Sequence, residues 1–498
     1  MARFIARSTY CVFAFISAWI FLAKCSVGNC ALTLLIAVFA LSAIALLTVP
    51  LSVLFKKIKD KVCKLGKVRM GLIIFAAAFI PRILSALVLN CDFSTHEDMG
   101  APQSFLHQLI NGGMITENAS YAAMYGRYTN TALVLYPWAL IFGSSHLSVS
   151  AFFCFGFSLS YVAWFNIIGQ FKSKDVAFVS ILGFSLLWQE IWLSLMPIHE
   201  SVTFFFLTAF AFMIFWVLPK LQTTPSKLFT VLASGLLLGV AVSCNSMGYV
   251  ALIAFALYAS ATLFKDKLTA KKIIYCALCL LIISGAVFGT VSAFKAAGDA
   301  VIEDGNDDGR RENTVPYGWS LYVGGNFESN GRWRQEDYDA YFPSEDRVSD
   351  DELYEHQKSL INQRYGRYKE NPLDYIALLT NKVKETYGNY NYGIRRTLDF
   401  AEDGAIAGAA RKILPVIKGV FHVIALIMQG LLIFSFSRKK WDEVTPSLWL
   451  KAFFCGVFMI LLVIESMPKY VTYTWALMMF ITVLDGDVLL HRAARIRK

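Results

Sequence analysis

Polar and apolar positions alternate on a long scale along this chain. Apolar runs of membrane-crossing length recur at 9–27, 30–55, 70–90, 146–171, 176–196, 201–219, 228–244, 247–264, 273–294, 412–436, 447–465 and 468–490. A hydrocarbon core roughly 30 Å thick needs about 20 apolar residues of helix, so each run predicts a transmembrane span. A thirteenth run, 131–143, is shorter. The basic runs decide its place: KKIKDKVCKLGKVR (56–69), Lys172 with Lys174, 220–227, 265–272, 437–441 and the tail HRAARIRK all belong on the cytoplasmic side. If 131–143 crossed the membrane, Lys172 and Lys174 would face outward and every later loop would change side. It is therefore expected to lie in the interface. That leaves twelve spans, with both termini cytoplasmic.

This topology puts four polar stretches outside: 91–145, the turns at Met196–Glu200 and Cys244–Gly248, and the long segment 296–410. The chain is expected to divide into an N-terminal hairpin (1–55), a transmembrane core (56–295), an external domain (296–411) and C-terminal helices (412–498). The external segment starts irregularly with GDAVIEDGNDDGRREN. Helical spacing then runs from Tyr354 to Tyr387 and breaks once at Asn371-Pro372. The fold class expected is an all-α polytopic membrane protein with an external loop domain.

Composition supports this reading. The chain has 498 residues, is 56% hydrophobic and has a mean hydropathy of +0.51, above the roughly 45–50% apolar content of soluble domains. The net charge is +10, and 22 of the 36 acidic residues fall within 296–410. Basic residues clustered in short runs between apolar segments match cytoplasmic loops, so nucleic-acid binding is not expected. The ten cysteines are scattered, with none in 296–410. The one CxxC pair, Cys276 and Cys279, lies inside an apolar run. Neither a disulfide framework nor a zinc site is indicated. The start, MARFIARSTY followed by an apolar run, reads as a span without an AxA-like cleavage site.

Candidate chemistry gathers where charge meets the outer ends of spans, because charge there is costly unless used or paired. Asp92, Glu97 and Asp98 crowd into seven residues after the span 70–90, and Asp98 stands at the start of a helix, 98–111, that Gly112-Gly113 ends. Asp98 can be a base or a helix cap. His96 reads as a loop residue. Arg82, beside Pro81 and about eight residues inside its span, is placed either to bind an anionic group or to pair with Glu190. Glu190 and Glu200 flank one hairpin, and Glu465 and Lys469 another. Together these predict a polar cavity opening outward. The stretch 316–333 is rich in Gly, aromatic and amide residues, which suits either sugar rings or turns. The Asn118-Ala119-Ser120 sequon carries little weight.

In its order of features the chain resembles the GT-C superfamily of membrane glycosyltransferases, nearest its protein mannosyltransferase-like bacterial branch. The resemblance spans roughly 70–490 and leaves the first hairpin outside. EDMGAPQSFLHQLINGG matches a helix headed by a catalytic Asp, with Asp98 at that position. Arg127-Tyr128-Thr129-Asn130-Thr131 resembles an RYPNN-like motif but lacks its Pro. Ile198-His199-Glu200 stands for a YTD-like turn, with Glu replacing Asp. WSLYVGG and NGRWRQED open the external loop, NPLDYIALLTNK ends at Lys382, and Glu465 with Lys469-Tyr470 stands for an E…RY element.

The resemblance implies transfer of a hexose or pentose from a polyprenyl-phosphate donor to a glycan, lipid or protein acceptor at the outer face of a bacterial plasma membrane, with inversion. Asp98 is then the base, with Asp92 a nearby alternative. Arg82, Arg127, Lys382 and Lys469 are phosphate-binding candidates. Glu97, Glu190, Glu200, Trp319, Asn326, Glu465 and Tyr470 line the cavity. No compact carboxylate set points to a divalent metal, but metal dependence is left open and no other cofactor is indicated; membrane lipids surround the chain. Two other readings remain open, a polysaccharide polymerase or ligase and a multi-span transporter.

Overall fold

The computed structural model describes residues 1–25, 64–94, 97–265, 268–302, 318–342, 350–388, 392–434 and 444–485. These residues are helical almost throughout and contain no named strand. Eight of their helices are long and apolar enough to cross a membrane: Ala2–Cys25, Lys67–Leu89, His146–Phe171, His199–Lys220, Thr224–Cys244, Ala270–Val301, Ala405–Gly430 and Pro446–Val463. The protein is therefore a multi-pass helical membrane protein. Gly248–Leu263 is a further apolar helix, shorter than these. The expected span 30–55, His96, the basic run 437–441 and the tail lie outside the described residues.

Two expected spans differ in shape. The apolar run 176–196 forms two helices, Lys174–Ser185 and Trp188–Leu193, with a turn at Leu186-Leu187. The last expected span begins with a 3-10 turn, Pro468–Val471, before the helix Thr472–Asp485. The short run 131–143 lies in the helix Gly126–Phe142, which Gly143 ends at positive φ.

Inside the bundle, polar atoms find partners on neighbouring helices, as hydrocarbon offers no water to replace them. Trp164 stacks on Phe480 with ring centroids 4.1 Å apart and donates through Nε1 to Thr208. Trp449 donates to the carbonyl of Ala251. Lys451 pairs with Asp485 under the ring of Tyr10, and both charges are buried. A buried ion pair of this kind lets two charged groups sit among apolar helices.

The described part of the long polar segment 296–410, expected to be external, is helical: Trp319–Gly324, Gln335–Tyr341, Asp350–Glu370, Pro372–Tyr387 and Tyr392–Asp399. The break at Asn371 between the third and fourth of these falls where Asn-Pro predicts it. The segment has an aromatic core of its own. Trp319, buried, packs against Tyr341 at 5.1 Å and Tyr338 at 5.9 Å, while the guanidinium of Arg364 lies 3.6 Å over the Tyr322 ring and bonds Asp337.

This domain docks on the bundle with backbone close to backbone. A Cβ added at Gly324 would stand 2.3 Å from the carbonyl oxygen of Val463, so only glycine permits the approach. Lys382 Nζ closes the same seam by donating to the carbonyls of Gly324 (2.9 Å) and Ile464 (2.7 Å), and the Ser466 amide donates to Gly331. The short segment from Ile464 to Tyr470 is thereby held against the external domain.

Candidate active site

Helix Glu97–Gly112 carries Asp98 in its first turn. Its packing against the loop before it depends on Gly100, where a Cβ would lie 2.6 Å from the Ser94 carbonyl oxygen. Three other elements converge on the Asp98 carboxylate, one of them far away in sequence. Oδ1 accepts from the hydroxyls of Tyr128 and, at 3.3 Å, Tyr121; Oδ2 is bonded by Lys469 Nζ. Tyr121 and Tyr128 stack with ring planes 7° apart. Arg127 donates to the Tyr128 hydroxyl at 3.2 Å and lies over the rings of Tyr125 and Tyr128. Its Nε has no hydrogen-bond partner among the described residues.

Charge in this cluster is balanced in favour of the carboxylate. Burial opposes ionisation of Asp98, but the Lys469 ammonium, the Tyr128 hydroxyl and Arg127 outweigh it and hold the group below the usual carboxylate range. The Asp98 side chain is 31% exposed, whereas that of Lys469 is 4% exposed. Tyr470 donates to Glu465 at 2.9 Å beneath the Lys469 ammonium, which lies 5.3 Å from the Tyr470 ring. On the far side the ring of His199 meets that of Tyr128 edge-on at 5.4 Å, and His199 Nε2 stands 3.2 Å from Glu200 Oε1.

Of the residues expected at the site, Asp98, Arg127, Lys469, Tyr470 and Glu465 come together in one hydrogen-bonded and charge-coupled group, and Glu200 lies directly behind it. Glu97 is the first residue of the Asp98 helix. Asp92 is exposed, accepts from the Ser94 amide at 2.9 Å, and is held below its ordinary pKa by that bond. Among the described contacts it does not join Asp98.

Arg82 lies deeper. Its Nη1 donates to the carbonyls of Ala78 and Ser185, and its guanidinium faces the Tyr161 ring at 5.1 Å. It makes no ion pair with Glu190 among the described residues; Tyr161 stands between them and donates to Glu190 at 3.2 Å. Lys382 belongs to the seam, where burial brings its pKa down to about 7 against the pull of Glu465. Trp319 is in the external domain's core. Asn326 bonds Asp337 and closes a turn onto the amides of Glu328 and Ser329.

Tyr121, Tyr128 and His199 join the group without having been singled out by the sequence. Tyr128 and His199 sit inside the motifs that carry the resemblance, and Tyr121 has no sequence signal beyond lying in the outer loop. No group of three or more His, Cys, Asp or Glu able to hold a metal occurs among the described residues. Comparison with family models, with curated proteins and with solved structures finds no match to this chain.

Proposed function

We propose that the protein is a polyprenyl-phosphate-dependent glycosyltransferase of GT-C type, with twelve spans and a site facing the outside of a bacterial plasma membrane. The observation that carries this reading is the setting of Asp98: a partly open, ionised carboxylate with two cations beside it, assembled from segments up to 371 residues apart. A carboxylate held in its basic form can accept the proton of an acceptor hydroxyl as that oxygen attacks the anomeric carbon. The bond from that carbon to the phosphate oxygen breaks in the same displacement and the configuration inverts. The phosphate leaves as an anion and needs no general acid.

Lys469 and Arg127 suit the developing negative charge on the leaving phosphate. Before donor binds, Lys469 neutralises Asp98. A phosphate that draws the ammonium toward itself weakens that pairing and makes Asp98 a stronger base at the moment it is needed. Acceptors consistent with this chemistry are hydroxyl-bearing glycans, glycolipids or proteins.

The test is sugar release by purified protein from polyprenyl-phosphate sugars, with Asp98→Asn and Asp92→Asn beside the wild type. Loss of turnover in Asp98→Asn with donor still bound, and retention in Asp92→Asn, is expected. Full activity of Asp98→Asn overturns the assignment. No turnover with any donor, together with solute uptake into liposomes, replaces it with a transporter.

A further inference from the structure

Behind the Asp98 group lies a second, drier pair of carboxyl groups. Glu190 and Glu200 are 2% and 1% exposed and sit on either side of the turn that links Trp188–Leu193 to the helix beginning at His199. Both line one crevice, walled by Phe157, Leu193, Phe204 and Ala476 and shared with the hydroxyl of Ser201. No point in it is wide enough to centre a water molecule.

Neither Glu200 oxygen has a hydrogen-bond partner among the described residues, and neither does Ser201 Oγ. His199 Nε2, 3.2 Å from Glu200 Oε1, approaches without hydrogen-bond geometry. Glu190 has a single donor, the Tyr161 hydroxyl. No lysine or arginine comes within ion-pair distance of either carboxyl among the described residues. The charged and titratable groups that face Glu200 from farther off are Lys469, Arg127, Asp98 and Tyr392, and Arg82 faces Glu190.

An ionised carboxylate this enclosed loses its hydration for several kcal/mol and regains little of it here. A hydrated cation does not fit the crevice, and even a bare water does not. A proton is a partner that needs no such room.

We propose that the Glu190–Glu200 crevice is a proton store, in which one of the two carboxyls is carried as the neutral acid and the pair exchanges protons with the Asp98 group across the Tyr128–His199 ring contact. The exchange, though not the storage, rests on the glycosyl-transfer reading. Asp98 is held as a carboxylate by Lys469 and is a poor place to leave a proton after each turnover. When one carboxyl of the pair is ionised it can accept that proton and later release it to solvent, so the crevice regains its resting charge at the end of each turnover.

Infrared spectroscopy of the purified full-length protein tests the storage without any substrate. A protonated-carboxyl stretching band that shifts in heavy water is expected at neutral pH. It should lose one carboxyl's intensity in Glu200→Gln or in Glu190→Gln, and stay unchanged in Asp98→Asn. Two variants are used so that a folding failure in one, visible as loss of the monodisperse protein, leaves the other to decide. If neither substitution removes intensity from such a band, the store does not exist.

The exchange is tested separately with polyprenyl-phosphate sugars. Glu200→Gln is expected to lower kcat about 100-fold, the lower end of the range of a proton-transfer role, with donor KM changed less than about 2-fold and partial rescue in Glu200→Asp. An unchanged kcat overturns the exchange. If the wild type releases no sugar from any donor, the glycosyl-transfer reading fails while the infrared result still stands for the store.

Discussion

Asp98 and Glu200 lie on opposite sides of the Tyr128–His199 ring pair, and they are treated in opposite ways. Asp98 has two phenol donors and an ammonium, and its side chain is 31% exposed. Glu200 has no hydrogen bond on either oxygen and is 1% exposed. The same functional group is thus surrounded by donors in one place and left without a hydrogen bond in the other. Pairs of titratable groups whose surroundings push them apart mark where a protein divides proton-taking from proton-holding. In this chain the contrast falls between a partly exposed carboxyl and one buried in the bundle.

The strongest way to break the contrast is to remove the carboxylate that is satisfied. Asp98→Asn is expected to lower turnover by about 10³-fold while donor binding persists, read by single-turnover sugar release beside a binding assay. Lys469→Met should lower kcat about 10²-fold, and combining it with Asp98→Asn should cost far less than the sum, because each substitution removes the same interaction. A double-mutant cycle on kcat/KM is expected to return a coupling of about 1–3 kcal/mol; additive effects would mean that Lys469 serves the phosphate alone.

A smaller effect concerns stability. Lys382 has a pKa of about 7 in the folded protein against 10.5 as an ordinary lysine. Between these values the unfolded chain binds a proton that the folded chain does not, so stability should rise with pH from about 7 upward and lose that increment as pH falls through 7. Thermal unfolding across this range should show the rise in wild type and its absence in Lys382→Met. The least effect is expected for Asp92→Asn, which keeps an acceptor for the Ser94 amide; activity within about 2-fold of wild type would confirm that Asp92 stands apart from Asp98.

Much of this arrangement is legible in the sequence where one segment decides its own structure. Gly112-Gly113 ends the Asp98 helix, Asn371-Pro372 splits the external helices, and the long apolar runs mark eight helices of spanning length. What the sequence does not reveal depends on who meets whom. Nothing near Asp98 announces that Lys469, 371 residues away, will bond it. The turn at Leu186-Leu187 falls in an unbroken apolar run without Pro or Gly at the break. The aromatic residues around Trp319 read equally as a sugar-facing surface or as a small domain's core, because composition is blind to burial.

Gly324 and Lys382 carry a consequence beyond fastening the external domain. The residues they clasp, Val463 and Ile464, begin a short stretch whose other end presents the Lys469 ammonium to Asp98. The domain and the Asp98 group therefore share one tether, so a displacement of the one would be felt at the other as a change in the reach of Lys469.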